Sequence, residues 1–195
     1  MTSSPPRLSI SPAFVALLCG MIYLDGSGFT VPFLLSCALH EAGHLMVMRL
    51  FDLHPARIHI GLTGTVISAV FPSHMTECLA ALAGPLMNAV LVLCFRRLWP
   101  QLALVSTLLF CYNMLPVYPL DGGRVLRLGL VSLFGWDSGY RLSVVLSWLT
   151  GMLMAAGAIY ATLVLRLGLL PCLFVVLFLL RLPKWPCQNA SNLIK

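Results

Sequence analysis

The chain has 195 residues, 59% hydrophobic and only 9% charged, with a mean hydropathy of +0.95. A soluble domain carries about a quarter charged residues, so a water-soluble globule of this composition could not cover its surface and is excluded. The net charge of +6 comes from Lys and Arg scattered singly or in pairs at the ends of apolar runs, which argues against a basic groove and a nucleic-acid partner. Read at about 20 residues per span, the length holds roughly six membrane crossings and no sizeable soluble domain. The expected fold class is an all-α polytopic membrane protein forming a single domain, 1–195.

Taken in chain order, the first apolar run, 8–24, follows Arg7 and lacks a small-x-small cleavage site, so it reads as a retained first span. The second covers 29–51. In the segment after it, 57–71, β-branched residues alternate in period two around Thr63-Gly64, which predicts a β-hairpin. That hairpin is too apolar for an ordinary exposed loop and is expected to associate with the membrane. A third span, 75–95, ends at Arg96-Arg97. The fourth, 102–120, carries Pro116 and Pro119 in its last turn, and 122–135 reads as a short, mildly amphipathic connection. A fifth span covers 142–165, and a short sixth, 167–182, contains Pro171.

The seven cysteines are odd in number, form no CxxC pair and read as small apolar residues of the spans. With six spans and an inside N-terminus, nine Lys and Arg fall inside and three outside. Both termini are therefore expected in the cytoplasm, with the end of the second span toward that side.

Six acidic residues are present, and Glu41 lies within the second span, in His40-Glu41-Ala42-Gly43-His44. An ionisable group in hydrocarbon costs at least ~2.5–3.5 kcal/mol, so three in one turn call for a function. Residues four apart share a helix face, so His40 and His44 can bind one metal ion, and Glu41 can reach a water beside it as general base. Catalytic zinc takes a third protein ligand and leaves a position open. Asp121 is the leading candidate, because Pro116, Pro119, Gly122 and Gly123 let the backbone turn its carboxylate inward near the cytoplasmic side. Glu77, at the start of the third span, is its rival. Cys37, one turn before His40, reads as packing, and His54, His59 and His74 read as interfacial residues.

His-Glu-Ala-Gly-His inside a span, followed by Asn113-x-x-Pro116-x-x-Pro119-Leu-Asp121-Gly-Gly-Arg124, resembles the site-2 protease family of intramembrane zinc metalloproteases. The stretch Ala83-Gly84-Pro85-Leu86-Met87-Asn88 is similar to a further motif of that family. The short chain, without an inserted PDZ-like domain, resembles the sporulation-type subgroup most closely, and departs from it in showing no CBS domain after Lys195. The resemblance implies that Asp121 is the third ligand of one zinc ion per chain. It implies that Asn113 and Asn88 contact the substrate or the oxyanion, and that the hairpin pairs with an unwound substrate strand.

The expected activity is zinc metalloendopeptidase cleavage, in or near a transmembrane segment of a membrane-associated protein, in a bacterial cell membrane and under a regulatory membrane partner. The alternative is a membrane metal-binding or transport protein, or an inactive scaffold. Transport would place polar groups along several spans and broken helices in paired halves. Here there is one polar cluster and no internal repeat.

Overall fold

The computed structural model describes residues 7–53, 57–61, 64–164, 175–176 and 178–179 and divides into two compact units, Met1–Asn113 and Met114–Lys195. The first unit runs β1 (Arg7–Ile10), α1 (Pro12–Leu24), α2 (Thr30–Leu50), β2 (Arg57–Gly61), β3 (Gly64–Ser68), α3 (His74–Phe95) and α4 (Pro100–Asn113). The second contains α5 (Asp121–Phe134) packed on α6 (Trp136–Leu163).

The expected hairpin is present: β2 and β3 pair antiparallel, with Ile58 opposite Ile67 and Gly61 opposite Gly64. The first span is corrected. Residues 7–10 form a strand parallel to β2, with Arg7 opposite Arg57 and Ile10 opposite Ile60. Arg-Leu-Ser-Ile alternates in period two, and the helix begins only where Pro12 sets its first turn. Ser9 Oγ lies 2.8 Å from His59 Nδ1 across this pairing, so His59 serves the sheet. The remaining α1, 13 residues or about 20 Å, is shorter than a span.

Residues Thr30–Leu50, His74–Phe95 and Trp136–Leu163 are the helices, among those described, long and apolar enough to cross a membrane. Their outward residues, such as Leu35, Met46, Leu86, Val90 and Leu153, remain exposed, as lipid-facing residues would. Two further expectations change in detail. The fourth helix ends at Asn113, seven residues before the expected end at 120, because the segment with Pro116 and Pro119 cannot continue the i→i−4 ladder. The expected connection at 122–135 is itself the amphipathic helix α5. The expected sixth span, 167–182, lies almost wholly outside the described residues, as does His54.

Local signals set the helix starts. Ser73 and Thr76 form a capping box on α3, each side chain accepting the other's backbone N–H. Ahead of α2, the Asp25 carboxylate accepts N–H donors from Gly28 at 2.8 Å, Phe29 at 3.2 Å and Thr30 at 3.0 Å. The bond from Thr30 and its neighbours holds this carboxyl well below the usual range. A depressed folded-state pKa contributes stability above the unfolded value of about 3.9, lost as the pH falls below it. Asp25→Asn is thus expected to lower hydrogen-exchange protection at Gly28, Phe29 and Thr30 and to abolish its loss on acidification below about pH 4. Unchanged protection at neutral pH would contradict this.

The α2–α3 interface is a polar stripe in an apolar bundle. Ser36, His40 and His44 repeat every four residues along one face of α2, and Ala80, Gly84 and Asn88 do the same on α3. Ser36 meets Asn88 and His44 meets Ala80, so the helices run antiparallel. From α4, Ser106 Oγ lies 2.9 Å from Ser36 Oγ. Ser36, Asn88 and Ser106 are fully buried, and small and polar residues are what allow membrane helices to approach closely.

Candidate metal centre

His40 and His44 stand one turn apart on the buried face of α2. Their Nε2 atoms are 3.1 Å apart, and the rings meet edge to face with centroids at 4.7 Å and an interplanar angle of 84°. Ligands at 2.0–2.1 Å from a tetrahedral zinc ion sit roughly 3.3 Å from each other. The two nitrogens are therefore already at the separation that a shared ion needs.

The outer ring nitrogens are held as well. His44 Nδ1 is 2.7 Å from the Ala80 carbonyl oxygen, which only accepts, so Nδ1 carries the proton and the neutral ring offers Nε2. His40 Nδ1 is 3.0 Å from the Asn88 side-chain nitrogen. Against both rings lies the α3 backbone at Gly84, where an added Cβ would stand 2.3 Å from His44 Nε2 and 2.7 Å from His40 Cε1. Any side chain there would fill the space beside the two nitrogens. This cradle fits a metal ion.

Glu41 is half-buried on α2, about 100° around the helix from His40. That angle keeps it from sharing the same face as the two imidazoles. Cys37 is half-buried one turn before His40, and Glu77 stands in the first turn of α3, one turn before Ala80.

In the second unit, Asp121 is buried at the first position of α5, where the positive end of the helix dipole favours a carboxylate. The segment before it is packed tightly. Val117 is fully buried, the Tyr118 N–H donates to Ser147 Oγ of α6 at 3.1 Å, and Arg127 lies 4.6 Å over the Tyr118 ring. The Tyr118–Pro119 peptide is cis. A Cβ at Gly123 would stand 2.1 Å from the Val117 carbonyl carbon, so only glycine lets this segment fold back on the start of α5.

No family model matches the chain. Its sequence is 25% identical over 147 residues to the zinc metalloprotease MJ0392 of Methanocaldococcus jannaschii, a match over 67% of this chain. The fold is similar to that of a site-2 protease from the same organism, with a TM-score of 0.65 and 19% identity over 91% of this chain and 89% of that one.

The fold is the one seen in site-2 proteases.

With three helices of membrane length among the described residues, the chain is an integral membrane protein. It spans 43% of the length of the curated relative. Within the family motifs, Asn113 is half-buried at the end of α4 and donates from its amide nitrogen to the Leu109 carbonyl at 3.0 Å. Asn88 is wholly buried, between His40 and Ser36. Sequence reasoning did not find the Ala80 carbonyl, the Gly84 cradle or the Ser36–Ser106 pair. The four-residue spacing of Ser36, His40 and His44 against Ala80, Gly84 and Asn88 was the signal available for them.

Proposed function

We propose that the chain is an intramembrane zinc metalloprotease that hydrolyses a peptide bond in or beside a transmembrane segment of a membrane-associated protein. The observation that carries this reading is the pair of Nε2 atoms 3.1 Å apart on a membrane-length helix, with Glu41 in the same turn. The likeness to a protein named as a zinc metalloprotease supports it. Two imidazole nitrogens and one carboxylate oxygen, the donors that His40, His44 and Asp121 bring to the proposed centre, suit zinc.

When bound, zinc supplies an acidified water and polarises the scissile carbonyl. Glu41 takes the proton of the attacking water and returns it to the departing amine. The Ala80 carbonyl keeps the His44 proton on Nδ1. Asn113 contacts the substrate or the oxyanion, and a substrate segment unwound into a strand pairs with the β2–β3 hairpin. The chain acts as a single domain of the sporulation-type subgroup in a bacterial cell membrane. Both termini face the cytoplasm, and a regulatory membrane partner controls access.

The test is cleavage of a tagged single-span substrate by purified full-length protein, with zinc measured on the same preparation. About one zinc per chain is expected. Replacing His40, His44 or Asp121 by Ala should lower occupancy and stop cleavage, and Glu77→Ala should leave both intact. Zinc lost from Glu77→Ala and kept by Asp121→Ala would overturn the ligand set.

A further inference from the structure

We infer that Asn88, steadied by the Ser36–Ser106 hydroxyl pair, is a positioning residue that decides which nitrogen of His40 is bare; this rests on the metal reading above. The reasoning starts from donor and acceptor counts. An amide nitrogen only donates, so with the Asn88 nitrogen 3.0 Å from His40 Nδ1 that ring nitrogen accepts. A neutral His40 then carries its proton on Nε2, the atom that faces His44 Nε2. This tautomer cannot offer Nε2 to a metal ion.

A half-turn of the Asn88 amide changes the assignment. Its oxygen then faces Nδ1, which must donate, and the ring, still neutral, bares Nε2. The vacated direction is served equally well. Ser36 Oγ, 3.5 Å from the Asn88 oxygen, donates in the first arrangement and accepts from the amide nitrogen in the second. Its own proton can then pass into the bond with Ser106 Oγ at 2.9 Å, because hydroxyls donate and accept alike. All three residues are fully buried. Asn88 is thus a two-way partner: one orientation suits the metal-free centre, the other the loaded one.

This places Asn88 behind the ligand, and replaces the expected contact with substrate or oxyanion by a role through His40. Outer partners of metal-bound imidazoles are worth about 10–100-fold in metal affinity. The experiment is zinc competition against a chromophoric chelator for wild-type, Asn88→Leu, Asn88→Ala and Asn88→Asp full-length protein in detergent, with thermal unfolding on the same samples. Leu keeps volume without any polar atom, Ala opens a cavity, and an Asp carboxylate only accepts, which holds the His40 proton on Nδ1. The expected result is a loss of about 10–100-fold for Leu and Ala, with most of it recovered by Asp. A role in packing alone predicts the opposite order, because a buried carboxylate destabilises more than Leu. Zinc affinity in Asn88→Leu and Asn88→Ala equal to wild type, or Asn88→Asp as weak as Asn88→Ala, would overturn the positioning role and leave the protease reading standing. A wild-type protein that binds no zinc would overturn both.

Discussion

Glu41→Gln is expected to retain zinc and membrane insertion while losing cleavage by ~10²–10⁴-fold, the usual effect of removing a general base. The geometry behind this is the position of Glu41 one residue from His40. It lies about 100° around the helix from His40 and about 60° from His44, to one side of the face that carries both Nε2 atoms, so it is poorly placed as a ligand and well placed beside one. Gln preserves the size of the side chain and a hydrogen-bonding group, and removes only the proton acceptor. A metal carrier using the same residues predicts a different pattern. There, loss of the charge changes metal affinity or flux, and no substrate is cleaved by the wild type. Gel-shift cleavage of a tagged membrane substrate, with zinc assayed in parallel, separates the two. Unimpaired cleavage by Glu41→Gln would remove the general base from the mechanism.

The parts of this molecule legible in the sequence are those where one local signal dominates. Apolar length marked α2, with described bounds Thr30–Leu50 against an expected 29–51, and α3, with His74–Phe95 against 75–95. Period-two alternation of Ile and Val marked the hairpin. The four-residue spacing of His40 and His44 puts both on one helix face, and their Nε2 atoms lie 3.1 Å apart.

What was missed depends on partners distant in the chain. Residues 7–10 are apolar enough to pass for the start of a span, and only β2, fifty residues on, makes them a strand. The α5 helix begins within a Pro- and Gly-rich segment that reads as a connection until the close approach of Gly123 to Val117 is known. The Asn88 amide against His40 Nδ1 is a cross-helix fact that spacing on α3 alone does not contain.

Gly84→Ala is expected to lower zinc affinity by at least 10–100-fold, as large as the loss of a bond to a ligand's outer nitrogen, although the substitution adds one methyl group far from any ligand in sequence. That methyl would lie 2.3 Å from His44 Nε2, 2.6 Å from His44 Cε1 and 2.7 Å from His40 Cε1. Real contacts are not this short, so something must move. The backbone of α3 is buried against α2, and each ring is tied to a residue one turn away from Gly84, at Ala80 and Asn88. The rings can escape the methyl only by breaking those bonds and parting the two Nε2 atoms. Folding should survive, because Ala in a helix gains about 0.8–1 kcal/mol over Gly, which offsets part of an overpacking cost of about 1–3 kcal/mol. Gly157→Ala on α6 is the control, since a methyl there meets nothing within 4 Å and should leave zinc affinity unchanged. Chelator competition on the two variants decides the matter. Wild-type zinc affinity in Gly84→Ala would mean that the rings do not lie against α3 when the ion is bound.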